Sequence, residues 1–295
     1  MNKLNQTILT RDGLHLVRRR WPASQPRGTV VLVHGIAEHS GRYEHVAAQL
    51  NAWGWSVESY DHRGHGLSDG AKGALYRDDD LVHDLASVTA VVRAEAPELP
   101  LLLLGHSMGG LVAACYVADL LEPTSHTGFT DVDALILSSP ALAVNLNWGQ
   151  KMLMSSMARL LPDVLVSTGF DPKAICRDPA VVQAYKQDPL VHDRISGRLG
   201  RFIVEGGGYV RALAEQWRKP TLLMYAGSDE IVSPRGSEQF AEASPSVVQA
   251  QCFAHMAHEI LNEPDQMQVF HAMRLWLDDR FADQVPYGMR SLYAA

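Results

Sequence analysis

Short apolar runs recur along this chain and alternate with segments of helical periodicity, which limits the folds that the chain can adopt. The runs are rich in Leu and β-branched residues and are bounded by Gly and Pro, at residues 29–33, 55–60, 101–104, 134–137, 221–225 and 247–252. Helical patterns lie between them, for example at residues 42–53, 79–95 and 108–120. Continuously apolar runs are typical of strands covered on both faces. The order of elements therefore predicts a mostly parallel sheet with right-handed crossovers.

An antiparallel pair is expected to precede the parallel strands. Residues 6–9 and 14–21 flank Asp12-Gly13, a dipeptide that favours a tight hairpin turn. These segments together predict an α/β fold with a mostly parallel eight-stranded sheet flanked by helices. A chain of 295 residues is close to the upper limit for one hydrophobic core, so one compact domain that carries an insertion is expected.

The insertion is predicted where the regular alternation stops. The interval between Ser138 and Thr221 is far longer than a crossover connection needs, which indicates a helical cap inserted after the sixth strand. We therefore divide the chain into a first core segment, a cap and a second core segment, at residues 1–142, 143–213 and 214–295. An amphipathic helix is predicted early in the cap, and its apolar stripe consists of Trp148, Met152, Leu153, Met157, Leu160 and Leu161.

Composition and charge exclude several classes of protein. Apolar residues make up 46% of the chain and charged residues 20%, as in an ordinary soluble globular protein. The 26 basic and 33 acidic residues give a formal net charge of -7, and the basic residues are scattered, which argues against nucleic-acid binding. A single basic cluster, Arg18-Arg19-Arg20, falls in a predicted strand and is interpreted as a solvated sheet edge.

The sequence predicts neither a targeting segment nor a bound metal. The first residues contain no apolar signal region, so we expect a cytoplasmic protein. The most apolar run is too short to span a bilayer, so any membrane contact should be peripheral. Cys115, Cys176 and Cys252 are too few and too far apart for a disulfide framework. With no Cys-x-x-Cys pair and no His-Glu-x-x-His helix, we expect no metal and no cofactor.

The strongest functional motif follows the predicted strand at residues 101–104 and opens a helix. It reads Gly105-His106-Ser107-Met108-Gly109-Gly110, a Gly-x-Ser-x-Gly nucleophile elbow in the expected context. Glycines are needed because the serine sits on a strained turn and the helix passes close to the sheet. The helix N-terminus favours developing negative charge. Ser107 is therefore the candidate nucleophile.

A serine nucleophile needs a histidine to accept its proton and a carboxylate to orient that histidine. In chain order the acid and then the histidine follow the serine. Asp229, in a loop after a late predicted strand, is the preferred acid, with Glu230 as its rival. His258 is the preferred base, because His255 follows the last predicted strand too soon to reach back over the sheet.

Two backbone amides are expected to form an oxyanion hole. One donor should come from the residue after the nucleophile, which is Met108, and the other from a loop after an earlier strand. The loop His34-Gly35-Ile36-Ala37-Glu38 follows the run at 29–33, and Ile36 is its expected donor.

The chain resembles the monoglyceride lipase and lysophospholipase branch of the α/β-hydrolases, also called serine aminopeptidase-like hydrolases. The likeness covers nearly the whole chain and depends on residues 34–43, 61–68, 105–110, 139–141, 184–192, 227–232 and 258–263. The resemblance implies the α/β-hydrolase fold, the triad and oxyanion hole already named, and a helical cap over a hydrophobic acyl tunnel. One departure is Leu261, where some members of the family carry a second histidine.

Other residues of these motifs receive weaker interpretations. Residues 61–68 are expected to hold the sheet edge and the elbow loop through hydrogen bonds. Glu38 and Arg42 match positions that lie near the glycerol end of the substrate in monoglyceride lipases, but buried charged groups usually have structural partners. They are candidate substrate contacts on the resemblance alone.

The sequence thus predicts a serine carboxylester hydrolase that cleaves single-chain lipids through an acyl-enzyme, most simply a monoacylglycerol lipase. A lysophospholipase or a general carboxylesterase is the alternative. An iminopeptidase-type peptidase would need a cap carboxylate for a free amino terminus, and a binding module would not need the three catalytic candidates. Apolar residues beyond the predicted cap helix, Val164, Leu165 and Val166 among them, suggest peripheral contact with a lipid surface.

Overall fold

The computed structural model describes residues 6–122, 128–145 and 160–282. The strands in these ranges are β1 Gln6–Leu9, β2 His15–Trp21, β3 Gly28–Val33, β4 Trp55–Tyr60, β5 Leu101–His106, β6 Ala134–Ser138, β7 Leu165–Ser167, β8 Arg194–Ser196, β9 Thr221–Ala226 and β10 Val248–Phe253. The helices are α1 Glu44–Ala52, α2 Asp80–Glu95, α3 Met108–Leu121, α4 Pro179–Gln187, α5 Gly197–Ala212, α6 Pro234–Ala243 and α7 Gln266–Arg280. A 3-10 turn at Ser40–Tyr43 leads into α1, so that helix starts slightly later than the periodicity predicts.

The described strands form a main sheet of eight in the order β1-β2-β4-β3-β5-β6-β9-β10. β1 pairs antiparallel with β2, and β2 pairs antiparallel with β4, whereas the remaining neighbours are parallel. This arrangement confirms the predicted α/β-hydrolase fold with a mostly parallel eight-stranded sheet. Because β5, β9 and β10 are parallel, their carboxyl ends lie at the same edge of the sheet.

Helices cover both faces of this sheet, which explains the continuously apolar strands. Val31 and Val33 of β3 belong to one buried cluster, which contains residues of α2, α3, α5 and α6. Val30 and Leu32 belong to the other, which contains residues of α1 and α7. Successive side chains of a strand point to opposite faces, so each strand contributes to both cores.

The long connection after β6 contains separate elements. β7 and β8 form a two-stranded antiparallel sheet, α4 lies between them in sequence, and α5 returns the chain to the core. Residues 143–213 therefore remain our proposed extent of the cap. The predicted helix at its start, with Trp148, Met152, Leu153 and Met157, lies outside the described residues, whereas Leu160 and Leu161 are described and exposed.

The interpretation of Arg18-Arg19-Arg20 as a solvated edge is wrong for Arg18. β2 lies between β1 and β4, so it is an interior strand. Arg18 is buried, its Nε lies 2.8 Å from Glu58 Oε2, and its Nη2 lies 2.7 Å from Glu95 Oε2. The sequence pattern of a strand does not reveal that other elements supply carboxylates that pair with a buried arginine.

The motif at residues 61–68 makes structural hydrogen bonds, but none of the described bonds reaches the elbow loop at 105–110, which it was expected to hold. Asp61 Oδ1 accepts a hydrogen bond from the Ser40 amide, and Oδ2 accepts one from the Leu67 amide, both at 2.9 Å. Arg63 is fully buried and donates to Asp84 and to Asp12. These bonds tie the turn after β4 to the loop after β3 and to α2. No helix in the described ranges is long and apolar enough to cross a membrane.

Candidate active site

The connection between β5 and α3 holds Ser107 in a strained backbone conformation. Its φ of 54° and ψ of -119° lie at positive φ, where residues other than glycine are uncommon. The Ser107 amide donates to the Ser138 carbonyl at 3.0 Å, and its carbonyl accepts from the amides of Leu111 and Ala141. The surrounding backbone therefore fixes the turn and presents the hydroxyl at the carboxyl end of the sheet.

The glycines beside Ser107 are required by close packing. A Cβ atom on Gly109 would overlap the carbonyl oxygens of Val33 and His34, and one on Gly105 would lie 2.5 Å from the Gly109 carbonyl oxygen. These contacts involve backbone, which cannot rotate away. The elbow thus has the tight helix–sheet approach that its motif predicts.

The structure brings Ser107, Asp229 and His258 together from three loops. His258 Nε2 lies 2.8 Å from Ser107 Oγ, and His258 Nδ1 lies 2.7 Å from Asp229 Oδ2. The other carboxylate oxygen of Asp229 accepts hydrogen bonds from the amides of Ile231 and Val232. All three side chains are buried. This is the geometry in which an imidazole can accept a proton from a serine while a carboxylate fixes its orientation.

The surroundings of His258 favour its protonated form. Burial lowers the pKa of the imidazole, but the adjacent Asp229 carboxylate opposes this effect, and Glu259 and Glu38 add to it. The net result is a pKa above the ordinary value of 6.5. A base with this environment can stabilise the imidazolium that forms when it accepts a proton.

The structure leaves both rival residues outside this arrangement. Glu230 is exposed, and its carboxylate makes no hydrogen bond or ion pair among the described residues. His255 is exposed in the turn after β10. Neither residue contacts Ser107 or His258.

The two predicted oxyanion donors adjoin the serine. Ile36 lines the same two cavities as Ser107, and Met108 is the first residue of α3. Neither amide donates a hydrogen bond within the described part of the chain. Glu38 Oε1 accepts from the Gly35 amide at 2.6 Å, which fixes the loop that carries Ile36.

Glu38 and Arg42 belong to a buried network under this loop. Arg42 donates to Glu38 Oε2 at 2.6 Å and makes two bonds with Glu259, at 2.7 and 2.8 Å. Its guanidinium also lies over the Tyr185 ring, 4.9 Å from the centroid. The sequence analysis assigned no role to Glu259 or Tyr185. Both lie in segments that carry the family resemblance, residues 184–192 and 258–263, but neither segment indicated a contact with Arg42.

Two cavities meet at Ser107. The larger has a volume of about 290 Å³ and a mainly apolar lining that includes Met108, Ala141, Ile203, Val204 and Val232. The smaller has about 20 Å³ and lies beside His258, with Glu38, His106, Tyr185 and Glu259 in its wall. The site therefore offers an apolar chamber beside the serine and, next to His258, a second chamber with room for roughly one water-sized group.

Three buried histidines and the half-buried His192 pack together at the oxyanion loop. His34, His62 and His65 come from the core and His192 from the cap, and the rings of His65 and His192 are 4.7 Å apart. His62 Nδ1, His65 Nε2 and His192 Nε2 have no hydrogen-bond partner in the described structure. Burial is the largest cause that lowers the pKa of each ring, and it brings His65 to about 4. No cluster of potential ligands in the described residues has a geometry that could hold a metal ion.

Comparison with known proteins identifies the family of this site. The family model described as serine aminopeptidase, S33, matches residues 24–265, which is most of the chain. The chain belongs to this family.

This S33-family protein is similar to lipases along nearly its whole length. It is 34% identical to a monoacylglycerol lipase of Mycolicibacterium smegmatis, over 90% of this chain and 93% of the relative. It is 33% identical over 92% of its length to an uncharacterized abhydrolase domain-containing protein of Dictyostelium discoideum, but it spans only 29% of that longer protein. The solved monoacylglycerol lipase of Paleococcus ferrophilus has 32% identity and a TM-score of 0.78, with 90% of this chain and 99% of that chain covered. These likenesses confirm the monoglyceride lipase branch and the class of enzyme, a serine hydrolase of carboxylic esters.

Proposed function

We propose that this S33-family hydrolase cleaves the ester bond of single-chain lipids, with monoacylglycerol as its substrate. The observation that carries the proposal is a continuous hydrogen-bonded series, Asp229 to His258 to Ser107, that ends at an apolar cavity. Similarity to two monoacylglycerol lipases supports it.

The proposed reaction follows from the positions of the polar atoms. Ser107 Oγ attacks the ester carbonyl carbon while His258 Nε2 accepts its proton, and Asp229 stabilises the imidazolium. The amides of Ile36 and Met108 bind the negative oxygen of the tetrahedral intermediate. His258 then protonates the leaving alcohol, and the acyl-enzyme forms. A water molecule, deprotonated by His258, attacks the acyl-enzyme and releases the fatty acid.

The cavities limit where the two parts of such a substrate can lie. An acyl chain fits the larger apolar chamber, where its burial contributes about 0.8 kcal/mol per methylene. The chamber beside His258 has a volume of about 20 Å³, enough for roughly one water-sized group, so the head group must extend to the solvent-exposed mouth of the larger cavity. A lysophospholipid presents the same acyl chain, so the head group separates the two candidate substrates.

Replacement of the nucleophile tests this proposal. Ser107→Ala should lower the turnover of monoacylglycerols by several orders of magnitude, because the remaining groups act only through the nucleophile. A panel of monoacylglycerols, lysophospholipids and aryl esters of graded chain length should be measured with both proteins. Ser87→Ala, in α2, is the matched control. Substantial turnover by Ser107→Ala would exclude the mechanism.

We further propose that the cap contacts a lipid surface. Exposed apolar side chains cluster at its edge, in Leu160, Leu161, Val164, Leu165 and Val166. The patch lies next to the larger cavity along the chain, since Thr168 and Phe170 follow β7 and line that cavity. An exposed apolar patch of this kind marks an interaction surface, and its position would deliver a lipid directly to Ser107.

Substitutions in this patch distinguish lipid contact from a structural role. The double variant Leu165→Ser and Val166→Ser should bind liposomes less and cleave dispersed long-chain monoacylglycerols more slowly, with short soluble esters little affected. Leu275→Ser, at a more exposed position on α7, is the control. A parallel loss on short and long esters would show that the two residues only stabilise the fold.

A further inference from the structure

Glu230 is a carboxylate at the entrance to the larger cavity that has no ion-pair partner among the described residues. It lines this cavity together with Ser107 and is exposed to solvent. Its backbone carbonyl accepts a hydrogen bond from Asn145, but its side chain forms no ion pair with any described residue. The described lining of this cavity contains no Lys, Arg or His, so no cation in it neutralises Glu230.

The groups around the reaction centre add to this negative charge. Glu38 and Glu259 share one cation, Arg42, while Asp229 faces His258. Among the described residues around Ser107, carboxylates therefore outnumber cations, even with His258 protonated. A third cavity of about 360 Å³ adjoins the larger one through Thr168 and Phe170, and its charged residues are Lys186, Asp188 and Asp193. The charged residues of this third cavity carry no net positive charge that could offset the negative charge around Ser107 and Glu230.

We propose that Glu230 is a specificity-determining residue that makes the enzyme reject amphiphiles with an anionic head group and accept neutral ones. The inference rests on the proposed function, in which the acyl chain fills the larger cavity and the head group extends to its solvent-exposed mouth, where Glu230 lies. A carboxylate within about 10 Å of a phosphate repels it, and a cleft with low-dielectric walls strengthens that field. The same repulsion favours the release of the fatty acid product, which is itself an anion.

The measurement is the ratio of kcat/KM for an anionic substrate to kcat/KM for a neutral one. The probes are 1-acylglycerol 3-phosphate and 1-acylglycerol with the same short acyl chain, both below their micellar concentrations. Removal of the charge in Glu230→Gln should raise the ratio about threefold, and charge reversal in Glu230→Lys should raise it about tenfold. Both increases should shrink in 0.5 M salt, at roughly 4 Å screening length, because exposed charges are screened.

The control carries the same charge changes far from the site. Glu98 is exposed and precedes β5, at the opposite end of that strand from Ser107. Glu98→Gln and Glu98→Lys should leave the ratio at the wild-type value. The concentration of active enzyme is set for every variant by titration of Ser107 with an organophosphonate, so loss of folded protein does not alter the ratio.

The outcomes separate this inference from the proposed function. A ratio that rises in Glu230→Gln and Glu230→Lys and falls back with salt supports the inference. An unchanged ratio in both variants, with the neutral substrate still cleaved, overturns the inference and leaves the proposed function intact. Failure of the wild-type enzyme to cleave 1-acylglycerol at all overturns the proposed function. If Glu230→Lys does not fold, the smaller effect in Glu230→Gln decides the question.

Discussion

Single residues at the site occupy backbone conformations that side chains normally avoid. Ala37, Ser107 and Ser139 have φ values of 64°, 54° and 42°, and they follow β3, β5 and β6. The Ser139 amide donates to the Met224 carbonyl at 2.8 Å, and the Ala37 carbonyl accepts from the His192 amide. Strained residues persist only where surrounding structure fixes them. The fold therefore positions these loops before any substrate binds.

The two histidines after β10 should differ sharply in their effect on the nucleophile. His258→Ala should abolish the rapid labelling of Ser107 by an organophosphonate, because nothing else accepts the serine proton. His255→Ala, with an exposed imidazole, should retain most of the labelling. Burst amplitudes and rates of both variants measure the difference. Equal loss of labelling in both variants would contradict the assignment of the base to His258 alone.

The sequence identifies the site at this scale only where a residue has a local motif. Ser107 has an elbow, and chain order then indicates Asp229 and His258 as candidates. Arg42 and Glu259 had no such signal as a pair, because 217 positions separate them. Arg18 was misinterpreted for the same reason, since its partner Glu95 comes from a distant helix.

Two helices contain glycines that differ in the space available for a side chain. Gly109 of α3 touches the backbone that follows β3, whereas a Cβ on Gly208 of α5 would meet nothing within 4 Å. Gly109→Ala should therefore destabilise the protein by several kcal/mol and lower activity, because backbone must move. Gly208→Ala should stabilise it by up to about 1 kcal/mol, since alanine is the better helix former. Urea denaturation measures both, and similar effects would contradict the packing argument.

Element prediction succeeded where the sheet is covered on both faces. The inner strands β3, β4, β5, β6 and β9 were visible as apolar runs because nearly all of their side chains are buried against one of two cores. β7 was not predicted, since all three of its residues are exposed. Its conformation depends on pairing with β8, which lies 27 or more positions later in the chain and cannot be recognised from local periodicity.

At the scale of the whole molecule, contacts between histidines link the proposed cap to the core. His192 packs on His65, and Asp188 accepts a hydrogen bond from His39 at 2.8 Å. The His192 amide also donates to the Ala37 carbonyl, beside the oxyanion loop. The charged or titratable groups that act on the four rings are Asp61, Lys72, Asp193 and His39. The position of the cap and the geometry of the oxyanion loop are therefore linked through the histidine cluster.

Acid should weaken this junction. The folded state lowers the pKa of His65 to about 4, whereas in the unfolded chain the pKa is about 6.5. The stability that the neutral ring provides is complete above pH 6.5 and is lost as pH falls toward 4. The loss for His65 alone is roughly 3 kcal/mol.

Denaturation at several pH values tests this loss. Between pH 6.5 and 4.5 the free energy of unfolding should fall less steeply for His65→Gln than for the wild type. His271→Gln, at an exposed position on α7, should keep the wild-type slope. Identical slopes for all three proteins would mean that His65 titrates normally.

The separation of Ser107, Asp229 and His258 along the chain also affects when activity can appear during synthesis on the ribosome. The elbow and the first strands of the sheet emerge early, but the imidazole follows β10, 151 positions after the serine. Domains begin to fold from the N-terminal side while the remainder is still being made. A nascent chain that stops before His258 therefore holds Ser107 without the proposed base. We expect ester cleavage to start only after the segment that carries His258 has been made, so fragments that lack this segment should be inactive.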